Sequence, residues 1–263
     1  MKVLVIPDLH GRKFWRKVIA NNIGQVDKVI FLGDYLDPYE NEIDENPELM
    51  ECDDFYDCKN LLKMLEDIIS LKKNEPHKYI LLTGNHSDSY IWTKFSAATR
   101  TDYKNWEKYH KIFLENLSLF NLVWIENDVI FSHAGISEGW ANKVWETLEF
   151  PENEISSVKE IAEVLRDTPL SKFTEYYIRR ISDISRYRGG DMIYGSSEWA
   201  DLREHIDYKN STLNNIVPIG EDGVYQIFGH TQLRAPIIND KWACLDCRKG
   251  FIVDTITHEI KGI

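Results

Sequence analysis

"KVLVIPD", residues 2–8, is a short apolar run that ends in polar residues. Two later segments have the same character, "VDKVIFLGD" at 26–34 and "KYILLTGNH" at 78–86. Stretches with helical spacing separate the three runs, at 12–22 and at 55–73. This alternation predicts a β-α-β-α-β beginning, with parallel strands buried on both faces and polar residues clustered at their carboxyl ends.

The middle of the chain alternates between helical and strand patterns. Residues 88–120 have helical character, and "LVWIENDVIFSHAG" at 122–135 predicts two strands joined by an Asn-Asp turn. Residues 137–186 return to helical spacing. Two segments within them open on a serine that can cap a helix, at Ser157 and Ser171.

From residue 216 onward, short strands and turns favour an antiparallel extension of the sheet. The chain has 263 residues, 43% of them hydrophobic, which is enough for a sizeable core. We find no internal repeat and no low-complexity linker, and predict one domain over residues 1–263. The acidic stretch at 39–57 is expected to be a solvated surface insertion.

The charge balance limits the choice of partner. Lys and Arg number 31 against 43 Asp and Glu, and the net charge of −12 opposes binding to a nucleic-acid polymer. The first apolar run is too short for a signal peptide or a membrane span, and no membrane partner is expected. The four cysteines, including the Cys244 and Cys247 pair, are expected to be reduced thiols of a cytoplasmic protein.

Side chains that can bind metals or transfer protons occur wherever a strand is predicted to end. Parallel strands lie about 4.8 Å apart, so strand ends at one edge bring distant residues into one cleft. Carboxylates, an amide and imidazoles suit manganese, iron or zinc better than calcium, and two metals are plausible. Each histidine taken alone is more often structural, but the repeated endings together favour a metal site. The residues are Asp8, His10, Asp34, Asp37, Asn85, His86, His133 and His230.

These endings form five motifs, which in this order resemble those of the calcineurin-like metallophosphoesterases. They are PDLHG (7–11), GDYLD (33–37), GNHSD (84–88), SHAG (132–135) and GHT (229–231). The resemblance covers nearly the whole chain. It implies an α/β fold, a four-layer αββα sandwich with mixed sheets and helical insertions.

The resemblance also implies two divalent metal ions, with manganese expected and iron, zinc or nickel as alternatives. One ion would be held by Asp8, His10 and Asp34, and the other by Asp34, Asn85, His133 and His230. A shared carboxylate reduces the repulsion between two cations roughly 3.5–4 Å apart. The resemblance assigns the attack on phosphorus to a hydroxide that bridges the two ions.

His86 and Asp37 take catalytic roles by the same resemblance. His86 would protonate the leaving-group oxygen, and Asp37 would hold its imidazole in place. The alternative role for Asp37 is that of a turn cap before Pro38.

Gln232 stands where many members of the family have a final histidine ligand. The single-histidine form resembles the serine/threonine phosphoprotein phosphatase branch and its dinucleoside tetraphosphatase relatives, as do "SHAGIS" and "SEWADLRE" at 197–204. That branch usually has an arginine where this chain has Pro38. We expect Arg12, Arg188 or Arg203 to replace it as a phosphate clamp, and favour Arg188 because adjacent glycines allow its loop to approach the cleft.

The leading hypothesis is a phosphomonoesterase that acts on a phosphoprotein or a small phosphorylated molecule. The alternatives are hydrolysis of a dinucleoside tetraphosphate or other nucleotide, and a phosphodiesterase, which the net charge disfavours. A non-catalytic scaffold is disfavoured because every ligand and the acid are present.

Overall fold

The computed structural model describes residues 1–92, 95, 98–148, 157–206 and 223–263. Parts of three predicted segments lie outside the described residues. They are 93–94 and 96–97 in the segment 88–120, 149–156 in the segment 137–186, and 216–222 at the start of the predicted C-terminal strands.

Strands and helices alternate in the first half of the chain, and short strands dominate its end. The strands are β1 (Lys2–Ile6), β2 (Lys28–Phe31), β3 (Tyr79–Leu82), β4 (Phe120–Asn121), β5 (Val123–Glu126), β6 (Val129–Ser132), β7 (Tyr225–Phe228), β8 (Ile237–Ile238), β9 (Trp242–Cys244), β10 (Phe251–Asp254) and β11 (Ile260–Gly262). The helices are α1 (Phe14–Asn22), α2 (Glu40–Glu45), α3 (Cys58–Asn74), α4 (Asn85–Ile91), α5 (Trp106–Glu115), α6 (Glu138–Thr147), α7 (Val158–Asp167), α8 (Glu175–Ile181) and α9 (Leu202–Ile206).

The strands form two mixed sheets. The first has the order β11-β10-β1-β2-β3-β4, in which β1 to β4 are parallel and β10 and β11 antiparallel. The second has the order β5-β6-β7-β9-β8, in which β6, β7 and β9 are parallel. The parallel pairing of β1, β2 and β3 confirms the prediction from their alternation with helices.

The predicted antiparallel extension after residue 216 is wrong in part. Strand β7 pairs in parallel with both β6 and β9, and β10 and β11 join the other sheet. Parallel neighbours need a crossover rather than a tight turn, and the segment that contains β8 provides it between β7 and β9. Only the β10–β11 and β8–β9 pairs are antiparallel hairpins among these strands.

The two sheets pack face to face, and helices cover their outer faces. Val5 and Ile30 of the first sheet share one buried cluster with Phe131 and Ile227 of the second. Their sequence neighbours point the other way, because side chains alternate along a strand, and Leu4 packs in the cluster that includes α1 and α3. Helix α7 packs on β5 of the second sheet. These layers form the αββα sandwich that the sequence predicts.

The acidic segment 39–57 is less solvated than expected. Several of its carboxylates are exposed, but Glu42 and Met50 are buried. The segment packs against the loop after β1, where the Glu51 NH donates to the Gly11 carbonyl (2.7 Å). Glu42 is buried because Arg12 neutralises it, and a charge pattern alone does not reveal such a pair.

The two segments with predicted helical spacing contain shorter helices than their lengths suggest. Helices α4 and α5 occupy part of 88–120, and residues 98–105 between them are not helical. Ser157 caps α7 in a capping box with Glu160, which confirms that prediction. Ser171 is not a cap; Thr174 caps α8 instead, because residues 170–172 form a separate helical turn that buries Leu170.

No helix in the described part of the chain is both long enough and apolar enough to cross a membrane. The cysteines Cys52, Cys58, Cys244 and Cys247 are all free and buried. Burial raises the pKa of the Cys52 thiol to about 12, which keeps it protonated and unreactive.

Candidate active site

The carboxyl ends of the central strands of both sheets meet at one cleft. Asp8 and His10 follow β1, Asp34 follows β2, and Asn85 begins α4 directly after β3. The second sheet contributes two residues, His133 after β6 and His230 after β7. The polar residues that follow the strands therefore lie together, as the strand-end pattern predicts.

Backbone hydrogen bonds join these strand-end loops to one another. The His10 NH donates to the Asp34 carbonyl (2.8 Å), and the His86 NH donates to Oδ1 of Asp34 (3.0 Å). The His230 NH lies 3.1 Å from both carboxylate oxygens of Asp8. These hydrogen bonds restrict the positions of the loops. The carboxylates of Asp8 and Asp34 are therefore oriented by neighbouring loops as well as by the strands that precede them.

Four of these residues have a left-handed backbone that L-residues seldom adopt. The φ angles of His10, Asp34, Asp37 and His230 are 45°, 46°, 58° and 64°. Such conformations cost about 1–3 kcal/mol each and persist where the surrounding structure imposes them. Their concentration at the cleft marks it as the functional part of the molecule.

Two glycines allow the close approach of backbone to carboxylates. A Cβ atom at Gly84 would lie 2.4 Å from Oδ1 of Asp34, and one at Gly229 would lie 2.2 Å from Oδ1 of Asp8. Both distances are far below van der Waals contact. The glycine before Asn85 and the glycine before His230 are therefore required by the site itself.

Asp34 lies between two imidazoles. Its Oδ2 is 3.5 Å from Nε2 of His10 and 3.4 Å from Nε2 of His133. The other ring nitrogen of His10 is 3.0 Å from the Leu36 carbonyl, and that of His133 is 2.9 Å from the Leu32 carbonyl. Because a carbonyl only accepts, both Nδ1 atoms carry hydrogen, and in the neutral rings the Nε2 lone pairs face the carboxylate.

Further acceptor atoms converge on His133. Its Nε2 lies 3.0 Å from Oδ1 of Asn85 and 3.0 Å from Nδ1 of His230. Nε2 of His230 is buried and has no hydrogen-bond partner among the described residues. Lone pairs that face one another repel unless a proton or a cation lies between them. The donor set of carboxylate, amide oxygen and imidazoles therefore fits a divalent metal ion.

The structure groups the ligand atoms slightly differently from the sequence prediction. Two groups of ligand atoms lie within 4.8 Å of one another: His10, Asp34 and His86, and Asp34, His133 and His230. Asp34 belongs to both groups. Asp8, expected in the first group, is fully buried and lies against the His230 NH, whereas His86 takes part in that group.

Burial and charge set the protonation of the site. Burial lowers the pKa of His10 and His230 well below its usual value, so both rings are neutral near pH 7 and can bind metal. Burial alone would raise the pKa of Asp34, but the neighbouring His133 and His86 hold it well below its usual value. Although burial opposes it, the charges of Asp34 and Asp8 raise the pKa of His133 to about 9.

His86 and Asp37 form a hydrogen-bonded pair next to the candidate metal ligands. Nδ1 of His86 is 2.6 Å from Oδ2 of Asp37, and the Tyr90 hydroxyl donates to Oδ1 of the same carboxylate. Burial raises the pKa of Asp37, and the hydrogen bond from His86 opposes that shift. Asp37 therefore binds the side chain of His86. It does not act only as a turn cap, which was its alternative role.

The three arginines suggested as phosphate clamps are each paired with a carboxylate. Arg12 is buried and donates to both oxygens of Glu42 (2.6 and 2.9 Å), so its guanidinium is not available to a substrate. Arg203 is half-exposed and binds Asp201. Arg188 also pairs with Asp201 (2.7 Å), and it donates to Oγ1 of Thr231 (2.8 Å) beside His230.

The sequence did not reveal several buried acids near the cleft. Burial and the charge of Glu198 raise the pKa of Asp88 well above its usual value, and Trp199 donates to Asp88 (3.0 Å). Burial and the charge of Asp8 likewise raise the pKa of Asp246. Asp88 lies in the GNHSD motif and Glu198 in SEWADLRE, but no spacing rule links these two segments.

Gln232 contributes to the support of the cleft instead of binding metal as a histidine would. Its Nε2 is 3.4 Å from Oε1 of Glu42, the carboxylate that also pairs with Arg12 and Arg248. This network ties the segment 39–57 to the loop after β7.

A comparison with protein families gives a match over most of the chain. The family model described as calcineurin-like phosphoesterase matches residues 1–231. A comparison with curated protein sequences finds no match.

A comparison with solved structures finds several chains that match at low sequence identity. A cold-active protein-tyrosine phosphatase of the psychrophile Shewanella sp. is 12% identical, with a TM-score of 0.56 over 99% of this chain and 80% of that chain. A protein serine/threonine phosphatase from Saccharomyces cerevisiae with similarity to human phosphatase PP5 is 13% identical, with a TM-score of 0.48 over 100% of this chain and 79% of that chain. A metallophosphoesterase from Sphaerobacter thermophilus is 12% identical, with a TM-score of 0.44 over 100% and 87% of the two chains.

The family model covers most of the chain, and the described cleft carries the polar residues of all five motifs. The protein belongs to the calcineurin-like phosphoesterases. It is a hydrolase of phosphate esters, from a family that depends on divalent metal ions.

Proposed function

We propose that the protein is a phosphatase with two metal ions that hydrolyses phosphate monoesters of a protein or a small molecule. One observation carries the proposal: Oδ2 of Asp34 lies between Nε2 of His10 (3.5 Å) and Nε2 of His133 (3.4 Å). A carboxylate oxygen that lies between the Nε2 atoms of two imidazoles is suited to bridge two cations.

The residues divide between the two sites. His10 and Asp34, with Asp8 behind them, would hold one ion, and Asp34, Asn85, His133 and His230 the other. When bound, the ions would polarise the phosphoryl oxygens and lower the pKa of water. The carbonyls of Leu36 and Leu32 fix the orientation of His10 and His133 by accepting their Nδ1 hydrogens, a role that second partners of metal-bound histidines commonly have.

His86 supplies the proton that the leaving group needs. Asp37 accepts the hydrogen on Nδ1, which leaves Nε2 to hold a proton and deliver it to the leaving-group oxygen. The negative charge of Asp37 stabilises the protonated ring, and Tyr90 fixes the other oxygen of Asp37. A positioned acid of this kind contributes about 10²–10⁴-fold to a rate.

A single comparison of substrates tests the proposal. The metal-stripped protein would be resupplied with Mn²⁺ and offered an aryl phosphate monoester, a phosphopeptide, an aryl phosphate diester and a dinucleoside tetraphosphate. We expect metal-dependent hydrolysis with the highest kcat/KM on one of the two monoesters. A higher kcat/KM on the tetraphosphate would assign the nucleotide hydrolase instead, and hydrolysis of none would refute the proposal.

A further inference from the structure

Arg100 lies at the edge of the cleft, in the non-helical stretch between α4 and α5. Its Nη2 donates to the main-chain carbonyl of Asp37 (2.9 Å), and its guanidinium carbon is 3.7 Å from the centre of the Tyr39 ring. The Tyr39 ring in turn packs edge-on against His10, with 5.1 Å between ring centres. Arg100 is thus next to a residue that holds the proposed acid and to a ring that contacts a proposed metal ligand.

The guanidinium of Arg100 has no direct carboxylate partner among the described residues. Within the described part of the chain, no carboxylate forms an ion pair with Arg100, whereas Arg12, Arg188 and Arg203 each have one. Arg100 is exposed, and the Asp37 carbonyl uses one of its five N–H donors. Stacking on Tyr39 occupies the face of the guanidinium and leaves its edge free for hydrogen bonds.

The neighbourhood holds Arg100 in place relative to His86. The Thr99 hydroxyl is 2.7 Å from the Ser89 hydroxyl on α4, the helix that also carries His86. On the other side, the Asp102 NH donates to the Tyr90 hydroxyl (2.9 Å), which itself binds Asp37. These contacts on both sides restrain Arg100 before a ligand binds. Binding therefore costs less side-chain conformational entropy than it would for an unrestrained exposed arginine.

We propose that Arg100 binds the terminal phosphoryl group of the substrate and favours monoesters over diesters. The inference rests on the proposed function, because it places the phosphoryl group in the cleft beside His86. A planar guanidinium binds two oxygens of one phosphate in parallel. A terminal phosphoryl group offers three such oxygens and a second negative charge, and a diester offers fewer oxygens and one charge.

Arg100→Ala and Arg100→Lys test this assignment, with Arg166→Ala as the matched control. Arg166 is a surface arginine that pairs with its neighbour Asp167, far along the chain from the motifs. We would measure kcat and KM on an aryl monoester and an aryl diester, the inhibition constant of inorganic phosphate, and the manganese content of each variant.

We expect Arg100→Ala to raise KM for the monoester roughly 10–100-fold, the worth of a charge-assisted pair of hydrogen bonds. Phosphate inhibition should weaken by a similar factor, KM for the diester should change much less, and the metal content should stay the same. Arg100→Lys should restore binding only in part, because an ammonium lacks the planar fork. Arg166→Ala should behave as the wild type.

Two results would overturn the assignment while the wild type still hydrolyses the monoester. One is an unchanged monoester KM and phosphate inhibition in Arg100→Ala. The other is a fall in kcat alone, which would show that Arg100 only supports Asp37. Failure of the wild type to hydrolyse any phosphate ester would refute the proposed function itself, and calorimetry of inorganic phosphate binding to the manganese-loaded wild type and variant would still test Arg100 separately.

Discussion

Nδ1 of His86 lies 2.6 Å from Oδ2 of Asp37, although the two residues are 49 positions apart in the chain. Both are buried at the cleft, and the His86 NH also donates to Oδ1 of Asp34 (3.0 Å). His86, the proposed proton donor, therefore also binds the proposed bridging carboxylate of Asp34 through its main-chain NH. Substitutions can distinguish the two proposed roles, proton transfer and metal binding.

Replacement of His86 by glutamine removes the proton donor and leaves the other ligands of the cleft. We expect His86→Gln to retain bound metal and to lower kcat by roughly 10²–10⁴-fold on a substrate with a poor leaving group. The loss should shrink on an aryl ester whose leaving group needs little protonation. Metal analysis and kinetics on the two substrates check this; loss of metal equal to that in Asp34→Asn would contradict it.

Asp34→Asn removes the carboxylate charge shared by both groups of ligand atoms. We expect metal content and activity to fall together, because one neutral amide cannot compensate the repulsion between two cations. Circular dichroism would establish that the variant is folded. An active Asp34→Asn with a full complement of metal would show that this carboxylate does not bridge.

The site needs a glycine at position 84, because an added Cβ would lie 2.4 Å from Oδ1 of Asp34. We expect Gly84→Ala to lower the free energy of unfolding by roughly 1–3 kcal/mol and to weaken metal binding. Gly24→Ala is the matched control, since a Cβ there meets no atom within 4 Å. Chemical denaturation and metal titration of both variants check the difference; equal effects would remove the steric explanation.

The buried Asp88 predicts a pH dependence of stability in the metal-free protein. Burial and Glu198 raise its folded-state pKa well above the ordinary value of 3.8. The folded chain thus holds this proton at pH values where the unfolded chain has lost it, and the associated stability is lost as the pH rises. Asp88→Asn keeps a neutral group at every pH, so its stability relative to the wild type should increase from about pH 4 to pH 7.

Asp67→Asn should show the opposite trend. Although burial opposes the shift, hydrogen bonds from Lys63 and Arg16 lower the pKa of Asp67, so its contribution is present above the ordinary pKa and lost as the pH falls. The effect should stay within about 1 kcal/mol because the pair is near the surface. Urea denaturation is the measurement, between about pH 4 and pH 7 for Asp88→Asn and below about pH 4 for Asp67→Asn, and a pH-independent difference for Asp88→Asn would contradict the buried-proton explanation.

The parts of the fold that depend on local pattern could be predicted from the sequence. Alternation of apolar runs with helical spacing predicts β1, β2 and β3 as parallel strands, and the motifs at their ends predict one cleft. The pairing of β7 could not be predicted in the same way. Its parallel neighbours depend on how the chain crosses between strands, which short apolar runs do not encode.

The same distinction between local pattern and distant contacts applies to the residues of the candidate site. Asp34, His133 and His230 could be found because each follows an apolar run and stands in a recurring motif. Arg100 and the partner of Arg12 could not, because Arg100 lies in a segment that is predicted to be helical but is not helical there, and Glu42 lies in a run of acidic residues. Contacts between distant side chains decide which arginine is neutralised and which remains free.

The most direct test of a two-metal phosphatase is to count bound ions and measure hydrolysis in one titration. Metal-stripped protein would be titrated with Mn²⁺ while bound manganese and the rate on an aryl phosphate monoester are recorded together. We expect no hydrolysis without metal and a rate that reaches its maximum as the second ion per chain binds. A full rate in the stripped protein, or a maximum rate with one ion bound per chain, would contradict the proposed bridging role of Asp34.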